Sequence, residues 1–177
     1  MKITLTPWKR VLMVLCGYAF ALGIGVLASV LYDRSIPAAN MAASGGMYAF
    51  GSFTLGFAAF ATIALVPTGL LFVSLRQYRG VWPVLAVLGF LMSAAGPVSA
   101  WFILETGQLP ARHPELGWVA MFAMLRLTAT PFLGLVWTGA AIFARGRFAK
   151  LLFIASAAIE ASLVIRFVVH MAMHWSR

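Results

Sequence analysis

Apolar residues fill five long runs of the chain, at about 11–32, 47–75, 81–104, 117–144 and 151–174, with polar residues gathered between them. Each run exceeds the ~18 residues that mark a membrane-spanning candidate. The breaks read as loops by composition: "YDRSIPAANMAASGG" mixes charge, proline and small residues, "RQYRG" is a tight basic turn, "ETGQLPARHPELG" holds two prolines, and "RGRFAK" is basic again. The pattern predicts an all-α polytopic integral membrane helix bundle of five transmembrane helices, in one membrane domain over 1–177. Runs two and four are long, which predicts tilt or interfacial ends.

Composition agrees. The chain is 63% hydrophobic and 10% charged, with a mean hydropathy of +0.96. Soluble domains are about 45–50% apolar and about 25% charged. The net charge of +9 is therefore read as orientation rather than as nucleic-acid binding. With the N-terminus inside, the inner segments carry Lys2, Lys9, Arg10, Arg76, Arg79, Arg145, Arg147 and Lys150, against Arg34, Arg112 and Arg177 outside. Lys and Arg resist translocation, so the expected topology is N-in, C-out in the cytoplasmic (inner) membrane of a bacterial-type cell. "MKITLTPWKR" with "AFA" at 19–21 resembles a signal peptide, but the apolar run continues to Tyr32, beyond the usual ~7–15-residue signal core. An uncleaved first helix is the expectation. The single cysteine, Cys16, lies inside an apolar run and leaves no internal disulfide or redox pair.

Small residues predict how the helices meet. In lipid, helices associate by close backbone approach and polar contacts. Gly17, Ala21, Gly25 and Ser29 recur every four residues and form a ridge for another helix of the chain, or for a second copy. "SAAGPVSA" at 93–100 is a similar patch. Pro67, Pro97 and Pro131 each fall inside a run and are read as ordinary kinks. Trp8, Trp82, Trp101, Trp118 and Trp175 fall near run ends and read as interfacial anchors, with Trp137 the exception.

The last run, "IEASLVIRFVVHMAMHW", carries Glu160, Arg166, His170 and His174. On a helical wheel these share an arc of about 120° with Ser156, opposite an apolar face of Ala161, Val164, Ile165, Val168 and Ala172. A charge facing hydrocarbon costs ~2.5–3.5 kcal/mol on insertion scales, so the polar arc should turn inward. Run four supplies a second cation, Arg126, with Thr130 one turn on. Two arginines thus share a layer with one glutamate. Either Glu160 pairs with one of them, or the surplus charge holds an anion, or a partner subunit neutralises it.

The expected function follows from this layer. The chain reads as a small, non-enzymatic polytopic membrane protein with an outward-facing polar cavity between runs four and five. That cavity would bind an anionic lipid or small ligand through Arg126, Glu160, Arg166 and His170. The first alternative is an accessory subunit of a larger membrane complex; a homo-oligomer is the related case. The second is a membrane enzyme on lipid-linked substrates with His170 or His174 as base, ranked last because no catalytic set is present. His170 and His174 are four apart, a metal-compatible spacing, yet only His113, Glu105, Glu115 and Asp33 could complete a site. No metal or other cofactor is expected, and membrane lipids are the expected partners.

Overall fold

The chain is all-helical among the residues that the computed structural model describes, 7–105 and 117–175. Five helices follow one another: α1 (Pro7–Ser35), α2 (Ala38–Leu75), α3 (Val81–Glu105), α4 (Gly117–Phe143) and α5 (Arg147–Trp175). All five are long and apolar enough to cross a membrane. The interhelical segment with Arg112, His113 and Glu115 lies outside the described residues, as do Lys2 and Arg177 and the side chains of Glu105, His174 and Trp175.

Two of the expected loops are shorter than composition suggests. Only Ile36 and Pro37 interrupt the helix between α1 and α2. Proline disfavours helical geometry in the residue before it and suits the start of the next helix. The small residues that read as loop, Ala38 to Ala43, include the strongest helix former, alanine. The backbone leaves helical geometry only at Ser44. At the other short connection α5 begins at Arg147 rather than 151. Gly146 adopts φ +107°, a left-handed conformation that glycine tolerates without a Cβ penalty. Its carbonyl accepts from Lys150 N at 3.2 Å, so it caps the new helix. "RQYRG" is the expected turn, with Tyr78 N donating to Leu75 O at 2.9 Å.

The chain packs as two compact units, Met1–Ser74 and Leu75–Arg177. In the first, the small ridge of α1 meets α2. A Cβ on Gly17 would collide with Pro67, and one on Gly25 would collide with the Gly56 carbonyl and Phe60. Ser29 Oγ donates to Ser52 O at 3.0 Å, Ser52 Oγ returns the bond to Ser29 O at 3.4 Å, and Tyr18 shares a hydrogen bond with Thr68 at 2.8 Å.

In the second unit α3, α4 and α5 pack pairwise against one another. Buried positions repeat in steps of four and three: Trp82, Ala86, Gly89, Ser93, Gly96 and Ala100 on α3, and Ala149, Phe153, Ser156, Glu160 and Leu163 on α5. This is the seam spacing of left-handed helix packing. The seam has two layers. One is aromatic: Phe153 stacks on Trp137 (5.9 Å between centroids) and meets Trp82 edge-on (6.2 Å). Gly89 makes room for the Trp137 ring. Trp82 is thus fully buried and not an interfacial anchor. A position near a helix end says nothing about which face it occupies, and this face points into the bundle. Trp8, Trp101 and Trp118 are exposed. The other layer is polar.

A buried ion pair at the centre of the three-helix unit

Glu160 is fully buried on α5, one helical step beyond Ser156 on the same seam. Its carboxylate receives the Arg126 guanidinium of α4 through a two-point contact, Nη2 to Oε1 at 2.5 Å and Nη1 to Oε2 at 3.1 Å. Ser93 Oγ of α3 donates a third hydrogen bond to Oε1 at 2.8 Å. Forked, charge-assisted pairs of this kind are the strongest hydrogen bonds a protein makes.

The remaining Arg126 donors go elsewhere in the protein. Nη1 also donates to Thr130 Oγ1 at 3.1 Å, and Nε and Nη2 donate to the Met92 carbonyl at 3.3 and 3.2 Å. A guanidinium has five N–H groups, and here each has an acceptor. Thr130 passes its own proton to the Arg126 carbonyl at 3.2 Å. The cluster carries one positive and one negative charge and ties three helices together.

Local sequence makes this approach feasible. A Cβ on Gly96 would meet Leu163 and, at 2.9 Å, Arg126 Nη2, so glycine lets the guanidinium reach the α3 backbone. Pro97 follows and lacks the N–H that would bond the Ser93 carbonyl, which loosens the same turn. On α4, Gly134 lets the Glu160 stem lie close, at 3.4 Å from where its Cβ would be.

Of the four residues in the expected ligand site, two meet here and two lie elsewhere. Arg126 and Glu160 form the pair. Arg166 lies about 9 Å further along α5 by helical rise and is exposed, and His170 lies about 15 Å along and is half-buried. Arg166 sits about 120° round the helix from Glu160. An arc of that width exceeds the packed seam, so sharing it did not guarantee sharing the interior. Ser93, Gly96 and the Met92 carbonyl were missed. Ser93 stood inside the small-residue patch of α3, and its conjunction with two charges depends on helix pairing that one strand of sequence does not contain. Among the described residues no group of three His, Cys, Asp or Glu side chains could hold a metal ion.

Compared with models of protein families, with characterised proteins and with solved structures, the chain matches none.

Proposed function

We propose that this chain is a non-enzymatic multi-pass protein of the cytoplasmic membrane, N-in and C-out, that holds an anionic lipid or similar small anion at the outer end of α4 and α5. Membrane insertion is supported by surface chemistry. In the most apolar window of each helix only 11–28% of residues are buried in the protein, and side chains such as Leu15, Phe20, Val66, Leu91, Phe122 and Ile165 face outward. Outward hydroxyls are turned back onto their own helices: Thr62 bonds the Ala58 carbonyl, Ser74 that of Leu70 and Thr138 that of Gly134. Self-satisfaction of this kind is what hydrocarbon demands of polar groups.

One observation carries the ligand reading: beyond Leu163, α5 emerges from its buried seam with Arg166 on its exposed surface. Arg147 begins the helix at the inner boundary, so Arg166 stands about 28 Å higher, near the far edge of a ~30 Å hydrocarbon core. An arginine at that depth reaches headgroup phosphates. In this reading Arg166 is the anion contact and His170 flanks it. Arg126 and Glu160 are the rigid floor, because the guanidinium donors are already satisfied by protein.

Native mass spectrometry of protein extracted with its lipids tests this. Arg166→Ala should lose co-purifying anionic lipid that the parent retains. Equal retention in both would remove the reading. If the parent instead co-migrates with another protein on mild-detergent gels, and Arg166→Ala does not, the accessory-subunit alternative takes its place.

A further inference from the structure

The opposite end of the three-helix unit holds a second concentration of charge. A cavity of about 650 Å³ lies between the α2–α3 turn and the α4–α5 turn, lined by Arg76, Arg79, Arg145, Lys150, Gly146 and the end of α4 at Ile142, Phe143 and Ala144. Four cations face it and, among the described residues, no carboxylate does. None of the four side chains makes a hydrogen bond or ion pair among the described residues. Among the described side chains of this unit the one carboxylate is Glu160, which stands about 15 Å above Lys150 by helical rise and is engaged by Arg126.

We propose that this basin is a binding site for phosphate groups, and that the headgroup of an anionic phospholipid is its occupant. Four cations within one cavity suit a ligand of two or more negative charges, such as a lipid bearing two phosphates. Basic pockets between spanning helices on the cytoplasmic side recognise such headgroups. Arginine supplies forked donors to phosphate oxygens, and lysine a mobile point charge. A lipid is favoured over a soluble phosphate by the wall. Ile142, largely exposed, and Phe143 close the apolar stretch of α4 at the cavity edge. A headgroup held by Arg79 and Arg145 would lay its acyl chains along that stretch. The basin also explains the Gly146 break: the left-handed residue turns the chain sharply enough to set Arg145 and Lys150 around one space.

The site depends on the membrane reading above but not on the outer site, and the test separates them. The full chain is reconstituted in nanodiscs of zwitterionic lipid containing a minor fraction of a two-phosphate phospholipid, and lipid bound to protein is counted by native mass spectrometry. Arg79→Gln/Arg145→Gln should lower retention about thirtyfold, at about fivefold per cation near an anionic partner. Arg79→Lys/Arg145→Lys should restore most of it. All the proteins compared carry Arg166→Ala, which removes the outer anion contact from the count. Topology should survive, since Lys2, Lys9, Arg10, Arg76, Arg147 and Lys150 remain inside. If the double variant does not fold, Arg145→Gln alone should give about fivefold. Pyrophosphate added to detergent-solubilised protein distinguishes the source. Binding that depends on Arg79 and Arg145, without lipid preference, assigns the basin to a soluble phosphate. Equal lipid and pyrophosphate binding by the parent and the Gln variant overturns the site. Failure to enter nanodiscs at all would instead strike the membrane reading.

Discussion

At the scale of single residues, the pairing of Arg126 with Glu160 sets the largest energetic sensitivity. Removing one member leaves the other buried and uncompensated, which costs about 3–5 kcal/mol, whereas removing both at once is often close to neutral. Arg126→Leu and Glu160→Leu should each strongly destabilise the protein in detergent, and the double variant should be more stable than either. Thermal unfolding of the four proteins reads this directly. Additive losses would mean that the pair contributes no coupling. Ser93→Ala should cost about 1 kcal/mol or less, because Glu160 Oε1 keeps its bond from Arg126. The asymmetry follows from charge: the hydroxyl refines the site, while the guanidinium neutralises it.

Among elements, the contact of α1 with α2 is decided by the absence of side chains at particular turns. Gly23 and Gly25 are two residues apart and look alike in sequence. A Cβ on Gly23 would meet nothing within 4 Å, whereas one on Gly25 would meet the Gly56 carbonyl at 2.8 Å. Gly25→Val should therefore separate the helices, and Gly23→Val should leave them in place. Disulfide formation between Ser29→Cys and Ser52→Cys, in a Cys16→Ser background, is the measurement: it should proceed with Val at 23 and fall sharply with Val at 25. Efficient cross-linking in both would show that the ridge is not what holds this pair. Overpacking of this kind costs about 1–3 kcal/mol.

For the molecule as a whole, charge distribution predicts orientation. The α2–α3 and α4–α5 turns and the first turn of α5 together hold Arg76, Arg79, Arg145, Arg147 and Lys150, and the α1–α2 connection is preceded by Asp33 and Arg34. With Cys16 replaced, Ser35→Cys should react with a membrane-impermeant maleimide added to intact spheroplasts, and Gly80→Cys only after lysis. The reverse pattern would invert the topology and place the basic basin outside. It would also move Arg166 to the cytoplasmic surface. This experiment therefore bears on both proposed anion sites while leaving the Arg126–Glu160 clamp untouched.

Five long apolar helices were legible from composition and run length alone, because a spanning helix is specified locally by some twenty apolar residues. The same holds for the ridge on α1, whose small residues recur along one helix and need no partner to be seen. Glu160, Arg126 and Arg166 were legible together as one layer, since all three stand out against hydrocarbon-like neighbours. Which arginine takes the glutamate was decided only by tertiary packing. Helix pairing carries Ser93 and Gly96 of α3 to the same point and turns Arg166 outward. The burial of Trp82 has the same origin, as does the gathering of four cations around one cavity. Hydropathy is a property of each segment by itself, but a partner is a property of two faces, and rotation about a helix axis is set by the neighbours that the helix meets.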